Sequence, residues 1–180
     1  TELLWRDFYK YVMHHYPHVS KNQAWNSRYK DIPWRQDHTD FQAWANGETG
    51  FPLIDAAMRQ LKQTGWMHNR LRMLVAMFLS KNLLIDWRWG ERWFMQHLID
   101  GDFSANNGGW QWSASTGTDA APYFRIFNPI RQSERFDPDG VFIKSYIPEL
   151  KAETAKTIHD PGKLRSDYVK PIIDLRFSRE

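Results

Sequence analysis

The residues best suited to chemistry lie near the middle of the chain, in the stretch NNGGWQWSASTGT at residues 106–118. Trp110 and Trp112 stand two positions apart there, among amides, hydroxyls and glycines. Large π-systems beside many hydrogen-bonding groups suit the binding of a flat, polar, aromatic ligand. A glycine-rich surface loop anchored by its two tryptophans is an alternative that the segment by itself leaves open.

A second candidate group lies on a helix predicted to start near Met67. Asn69, Arg72 and Met73 are related by helical spacing, so they share one side of that helix. An arginine there neutralises an anionic group, an amide bonds a base edge, and a thioether contacts an aromatic face. The strip is either ligand-facing or a boundary between core and solvent.

Two aspartates in the run IDGDF first suggest a metal site. Asp100 and Asp102 resemble the start of a calcium loop, but Ala105 stands where that loop requires glycine and Gln111 where it requires glutamate. Calcium is thus rejected, and the seven histidines show no metal-binding spacing, so no metal site is predicted. The aspartates remain as a helix cap or as acceptors for a ligand's amino, imide or hydroxyl groups.

Three of the ten tryptophans, Trp34, Trp87 and Trp110, lie on separate segments. Indole rings in contact relay an electron as well as pack, and the sequence does not separate these uses. Core packing is the stronger interpretation from the residues alone. The chain shows no nucleophile elbow, P-loop or dinucleotide fingerprint, so hydrolysis by a familiar triad is not predicted.

The composition is that of one compact domain, with 180 residues and 42% hydrophobic content. No run approaches the roughly 18 apolar residues of a membrane span, and the absence of cysteine excludes disulfides and thiolate chemistry. These features favour a cytoplasmic protein without a membrane segment. Net charge is only +3, yet basic residues crowd at 70–72 and 125–135, as an anionic partner requires.

The apolar periodicity is helical nearly throughout and predicts a mainly α fold. Gly65 is placed to close one helix and Asp86 to cap another, although Gly90 weakens the latter. After Pro129 the sequence turns loop-like. Helices are predicted at 3–16, 54–64, 67–84 and 86–99, with short ones within 141–150 and around residues 148, 161 and 171.

Several longer runs resemble the DNA photolyase/cryptochrome family, with a similarity that covers roughly residues 1 to 150. Within the family, Asn69 and Met73 resemble the class I photolyases that repair cyclobutane pyrimidine dimers. The (6-4) photolyases and animal cryptochromes tend to place histidines in this region. The matching runs are LLWRDFY at 3–9, TGWMHNRLRM at 64–73, DGD at 100–102, the stretch 106–121, and YFRIFNP at 123–129.

The resemblance implies a light-driven lyase that repairs UV-damaged DNA as a monomer. In that family, reduced FAD held in a helical domain absorbs blue or near-ultraviolet light and donates an electron to a flipped-out pyrimidine dimer, whose cyclobutane ring splits. The implied fold is the multi-helix FAD-binding domain, truncated at its N-terminal side, with residues 1–180 as a single domain. A folate or deazaflavin antenna chromophore is expected only in the missing N-terminal α/β domain.

The same resemblance assigns roles to individual residues. Asn106 is expected beside flavin N5 and Arg72 near the isoalloxazine ring. The implied flavin-binding residues are Trp66, Asn69, Arg72, Asp100, Gly101, Asp102 and Asn106. The residues implied in dimer contact and catalysis are Glu2, Trp5, Asn69, Met73 and Trp112. Those implied in DNA binding are Trp5, Arg6, Asn69, Arg70, Arg125 and Gln132. The implied electron-transfer chain is Trp110, Trp87 and Trp34.

The resemblance favours a helical structure for 106–118 over a loop. Helical spacing then turns Trp110 and Trp112 about 200° apart, so the two neighbours serve opposite sides of one cofactor. Because the first part of the family's flavin domain is missing, residues 1–180 alone are expected to bind FAD weakly or not at all and to be inactive. Two other functions stay open: a cryptochrome-like photoreceptor, and a non-catalytic tryptophan-rich module that binds single-stranded nucleic acid.

Overall fold

The computed structural model describes residues 2–120, 122, 125–164 and 167–176, with Glu2 described in its backbone only. Within these residues the regular structure is helical, and β-type pairing is limited to one isolated bridge between Arg35 and Ile85. The mainly α prediction is therefore confirmed. The α-helices are α1 (Glu2–His15), α2 (His38–Asn46), α3 (Pro52–Thr64), α4 (Asn69–Met77), α5 (Trp87–His97), α6 (Phe103–Ser113), α7 (Pro129–Phe136) and α8 (Val141–Tyr146). Shorter turns are a π-helix at Phe78–Asn82 and 3₁₀ helices at Val19–Lys21, Ser27–Tyr29, Pro148–Leu150 and Pro161–Lys163.

Helix α3 is the centre of the core, with α2, α4, α7 and α8 packed around it. Ile54, Ala57, Met58 and Leu61 form its apolar face and are fully buried, as their helical spacing predicts. Gly65 closes the helix in the left-handed conformation, with φ at 68°. The other helices are therefore placed relative to one buried, well-capped element.

The predicted N-cap of α5 is confirmed, whereas the helix predicted at 67–84 has different bounds in the structure. Asp86 caps α5, since its side chain accepts a hydrogen bond from the backbone N–H of Arg88 at 3.0 Å. The helix predicted at 67–84 instead begins at Asn69, after the N-cap His68, and changes at Phe78 into the π-helix. It ends before Leu84, whose φ of 55° lies outside any right-handed helix.

Three predictions about the connections were wrong. The stretch after Pro129 is helix α7 and not a loop, because Asn128 caps it by accepting from two backbone N–H groups and a proline suits the first helical turn. No helix was predicted at α2, which is capped by the Asp37 side chain and closed by Gly47. Around Pro171 no helix forms among the described residues 167–176, since Ile172 N instead donates to Thr49 O at 3.0 Å.

Asp55 ties this C-terminal segment to the core. Its carboxylate is fully buried and accepts four hydrogen bonds, from Thr49 N, Thr49 Oγ1, Gly50 N and the Tyr168 hydroxyl, at 2.6–3.0 Å. Burial raises the pKa of Asp55 to about 6, and the hydrogen bonds oppose that shift. We call this set of residues the Asp55 knot.

None of the described helices is long and apolar enough to cross a membrane.

Candidate functional site

Helix α6 contains most of the stretch with which the sequence argument began. Asp102 caps it by accepting from Ala105 N at 3.0 Å, and this hydrogen bond is the main reason that the pKa of Asp102 is lowered. The helix ends at Ser113, and Ser115, with φ at 62°, lies in a turn that follows. The helical prediction is thus right for 106–113 and wrong for 114–118.

Two glycines let α6 pack closely on its neighbours. A Cβ atom on Gly90 of α5 would lie 2.1 Å from Cη2 of Trp110, and one on Gly108 would lie 2.2 Å from the ring of Tyr9 in α1. Both distances are far shorter than van der Waals contact, so only glycine fits. Gly90, which weakened the prediction of α5, is therefore required by the packing of α5 against α6.

Trp110 and Trp112 occupy different environments on α6. Trp110 is 2% exposed and its ring packs edge-on against Trp44 and Phe94, at centroid distances of 6.0 and 5.1 Å. Trp112 is only half-buried. The helical turn between them sends one indole into the core and leaves the other accessible, as their spacing predicts.

Arg72 joins α4 to the turn that precedes α6. Its guanidinium donates to both carboxylate oxygens of Asp100, at 3.0 and 2.9 Å, while its Nε donates to Met67 O at 2.7 Å. Both bonds to Asp100 come from one nitrogen, Nη2, so the carboxylate is held by a charge-assisted contact with a single guanidinium nitrogen. Gly101 lies exposed between Asp100 and the cap residue Asp102.

Asn106 connects α6 to α5. Its Nδ2 donates to the backbone oxygen of Glu91 at 2.9 Å, whereas its Oδ1 makes no hydrogen bond with a described residue. The nearby Glu91 is buried, and burial raises the pKa of its carboxyl. Asn106 is thus held by its nitrogen and keeps an acceptor for another partner. We call Arg72, Asp100, Asp102 and Asn106 the polar cluster.

The three tryptophans of the implied electron-transfer chain lie around α5. Trp87 is buried in the first turn of α5. The ring of Trp110 lies against Gly90, one turn later in the same helix. The half-buried Trp34 precedes Arg35, whose backbone N–H donates to Leu84 O at 2.7 Å, just ahead of α5. The indole N–H groups of Trp87 and Trp110 have no acceptor among the described residues.

Helix α1 borders the polar cluster. Lys10 Nζ lies 3.9 Å from the Asp102 carboxylate, and the close approach of Tyr9 to Gly108 aligns α1 with α6. Trp5, 45% exposed, packs against Phe8 and Tyr9 at centroid distances of 5.7 and 5.9 Å. An aromatic surface therefore projects from α1.

Two predicted DNA-binding residues, Arg70 and Gln132, line one cavity of about 300 Å³ between α4, α7 and α8. The Arg70 guanidinium carbon stands 4.1 Å from the ring centroid of Phe136, a cation–π contact that fixes the direction of the arginine. Arg6 and Arg125 are exposed elsewhere, and Arg6 pairs with Asp7 at 3.6 Å. The structure thus groups two of these four side chains.

The remaining predicted residues are dispersed or not described. On the predicted strip, Asn69 is exposed in the first turn of α4, while Met73 is half-buried one turn later. Trp66 is 44% exposed just ahead of that helix. The side chain of Glu2 lies outside the described residues, as do the motif residues Ala121, Tyr123 and Phe124. Across the described chain, no group of three or more histidine, cysteine, aspartate or glutamate side chains could hold a metal ion.

Sequence reasoning missed several residues that shape the site. Trp44 contacts Trp110 but lies on the unpredicted helix α2, and Phe136, beneath Arg70, lies on the unpredicted helix α7. Gly90 carried a signal, since a glycine inside a helix pattern often marks a close approach of two elements. Glu91 carried none, because its role depends on α6 packing against α5.

Comparison with known proteins shows the family to which the chain belongs. The family model described as the FAD binding domain of DNA photolyase matches residues 1–180. Deoxyribodipyrimidine photo-lyases of Salmonella typhimurium and Vibrio cholerae are 56% and 57% identical to the chain, over 99% and 89% of its length, but these matches cover only 39% and 34% of their own lengths.

Solved structures share the fold over 99% of the chain. A class III photolyase from Agrobacterium tumefaciens superposes with a TM-score of 0.93 at 45% identity, and a Synechocystis cryptochrome with 0.91 at 42%. An archaeal photolyase from Sulfolobus tokodaii, solved with two FAD molecules, also gives 0.93 at 45%. The chain covers 39%, 39% and 41% of these three chains, respectively. The chain therefore belongs to the family of FAD-binding domains of DNA photolyases.

Proposed function

We propose that this domain forms the flavin and lesion site of a deoxyribodipyrimidine photo-lyase, an enzyme that uses light to split cyclobutane pyrimidine dimers in DNA. The observation that carries the proposal is the arrangement of α6, which places Asn106 in the polar cluster, Trp110 in the aromatic core and Trp112 near the surface. The names of the similar curated proteins support the same reaction.

The polar cluster fits FAD as the cofactor. Asn106 keeps a free carbonyl oxygen, which suits the N–H that reduced flavin presents at N5. Arg72 and Asp100 offer a fixed cation and anion for the polar ring edge, and Asp102 and Gly101 continue that surface. We assign Trp66 and Asn69 to the border of the same pocket. When bound, FAD supplies the light-driven electron that opens the cyclobutane ring.

We assign the flipped-out dimer to the side of α6 where Trp112 lies. Trp5 and Trp112 would stack on the damaged bases, which offsets the stacking lost when the dimer leaves the duplex. The partial exposure of both indoles supports this assignment. Asn69 and Met73 would line the cavity, and Glu2 would hydrogen-bond the dimer.

The DNA backbone would be held by cationic and amide side chains around this site. The cation–π contact with Phe136 holds the Arg70 guanidinium in place. Arg70 and Gln132 line the same cavity. Arg6 and Arg125 are exposed cations available to phosphates. Such contacts give binding that is independent of sequence and weakens with salt.

The aromatic core would restore the reduced flavin and not perform the repair itself. In this proposal Trp34, at the half-buried end, passes an electron through Trp87 and Trp110 toward the polar cluster. Support comes from the packing of Trp110 on α5 and from the backbone hydrogen bond that joins the Trp34 segment to the start of α5. We further propose that the enzyme acts as a monomer in the cytoplasm, bound to the nucleoid; the lack of cysteine fits that compartment.

An absorption spectrum of the purified full protein, followed by illumination with dimer-containing DNA, tests the proposal. We expect flavin absorbance and light-dependent loss of dimers. Flavin absorbance without repair would favour the cryptochrome-like photoreceptor. Equal binding of damaged and undamaged single strands without flavin would favour the nucleic-acid-binding module, and either result would overturn the proposal. Stoichiometric flavin in residues 1–180 alone would overturn the expectation that this part binds FAD weakly or not at all.

A further inference from the structure

Lys81 is a buried lysine that the proposed mechanism does not use. It is 6% exposed and lies in the π-helix that follows α4. Across the described residues, its ammonium forms no ion pair with a carboxylate. A buried charge without a counter-ion is costly unless hydrogen bonds compensate it. The partners of this ammonium therefore indicate why the lysine is there.

Both partners are backbone carbonyls of the segment that joins α6 to α7. Lys81 Nζ donates to Pro122 O at 3.3 Å and to Arg125 O at 3.1 Å. Arg125 N also donates to Pro122 O, at 2.8 Å. One ammonium thus holds the backbone oxygens of two residues that are also joined to each other.

The side chain of Arg125 remains available for another partner. The residue is exposed, although its backbone oxygen accepts a hydrogen bond from Lys81. Burial and then the positive charge of Arg125 lower the pKa of Lys81 to about 8, so the ammonium form still predominates at neutral pH. Because the two cations repel each other, folding of the guanidinium back over Lys81 is disfavoured.

We propose that Lys81 is a positioning residue for DNA binding: it fixes the backbone at Pro122 and Arg125 and so presents the Arg125 guanidinium to a phosphate. The inference rests on the proposed function, in which Arg125 contacts the DNA backbone. Fixing the protein backbone in advance removes part of the ordering cost that a loosely held Arg125 would incur on binding.

A double-mutant cycle on the flavin-loaded full protein tests this coupling. Lys81→Met keeps the length of the side chain but removes its donors, and Arg125→Ala removes the phosphate contact. We expect each single change to weaken binding of dimer-containing DNA by roughly fivefold and to lower the slope of log affinity against log salt by about one. In the Arg125→Ala background, Lys81→Met should add less than about twofold.

Lys62→Met is the matched control, since Lys62 is exposed on α3 and donates to Asn46 Oδ1 at 2.9 Å. It should leave affinity and salt slope unchanged. Fully multiplicative effects of Lys81→Met and Arg125→Ala, or an unchanged affinity in Lys81→Met, would overturn the proposal. A merely structural lysine would weaken binding to the same extent with or without Arg125.

Two further measurements keep the test decisive. If Lys81→Met does not fold, Lys81→Gln retains N–H donors without the charge and should show a smaller loss with the same dependence on Arg125. Amide hydrogen exchange at Arg125 reports its hydrogen bond to Pro122 O directly and should accelerate in either variant but not in Lys62→Met. If Arg125→Ala binds DNA like the wild type, the assigned role of Arg125 fails. Unchanged exchange at Arg125 would instead refute the hold that Lys81 exerts on the backbone there.

Discussion

Asp55 and Asp100 are two carboxylates in different surroundings. We expect the first to stabilise the fold and the second to bind a ligand. Asp55 is fully buried in the core and accepts four hydrogen bonds from the chain itself. The side chain of Asp100 is 48% exposed, and among the described residues its hydrogen bonds come from Arg72. A carboxylate offers about four acceptor positions, so Asp55 is saturated whereas Asp100 keeps capacity for a ligand. This difference predicts opposite effects of substitution at the two sites.

The largest expected effect is loss of stability in Asp55→Ala. Four donors in the Asp55 knot would lose their acceptor inside the core, and each buried unpaired group costs about 1–3 kcal/mol. We expect the free energy of unfolding to fall by about 3 kcal/mol or more, measured by denaturant titration. Asp139→Ala, at an exposed turn position, should change it by about 0.5 kcal/mol or less. A loss below about 1 kcal/mol in Asp55→Ala would contradict the structural role assigned to the knot.

Gly90→Ala should cost less, because it strains one contact and leaves no polar group unpaired. The added methyl overlaps the Trp110 ring, and overpacking of this kind costs about 1–3 kcal/mol. Gly109→Ala is the matched control within α6, since a Cβ there meets nothing within 4 Å. We expect that control to be neutral or slightly stabilising in thermal unfolding, as helix propensity favours alanine. Equal Tm values for both variants would show that α5 and α6 do not pack closely.

At the polar cluster, Asp100→Asn should affect flavin more than folding. A partly exposed ion pair contributes about 1 kcal/mol or less to stability. In the full protein, loss of the charge-assisted pair with Arg72 should weaken FAD retention by about tenfold, seen in the ratio of flavin to protein absorbance. Asp174→Asn, which breaks the exposed pair with Arg176, should leave that ratio unchanged. A large loss of stability with normal flavin content would reverse the contrast between Asp100 and Asp55.

The last expected effect is a pH dependence of stability that is centred on Asp55. Its pKa is raised to about 6 in the folded protein, so the folded state holds this proton more tightly than the unfolded state does. The stabilisation from this group is therefore greatest below its ordinary pKa of 3.8 and declines as pH rises through 6. The excess stability of the wild type over Asp55→Asn should be larger at about pH 4 than at about pH 7. A constant difference across that range would contradict a raised pKa.

Helices with strong apolar periodicity could be predicted from the sequence, whereas helices that depend on tertiary packing could not. The face of α3 and the caps Asp86 and Gly65 followed from spacing and local hydrogen bonding. Helix α6 is rich in asparagine and glycine, which are poor helix formers, and it packs closely against α5 and α1.

The site was predicted in part for the same reason. Individual residues such as Asn106 and Arg72 were named from a family resemblance, yet their partners Glu91 and Asp100 depend on which helices meet. Lys81 gave no signal, because a lysine in sequence is ordinarily an exposed one. Its importance appears only in the folded chain, where the backbone oxygens of Pro122 and Arg125 accept its hydrogen bonds.

The central claim is that α6 separates repair from electron supply, with Trp112 on the lesion side and Trp110 in the core. Illumination of flavin-loaded protein with dimer-containing DNA tests this in Trp112→Ala and Trp110→Phe, each with the flavin chemically reduced beforehand or left oxidised. We predict that Trp112→Ala loses repair in both states, whereas Trp110→Phe repairs normally once reduced but fails to restore oxidised flavin under light. Unchanged repair in Trp112→Ala, or lost repair in pre-reduced Trp110→Phe, would contradict the account.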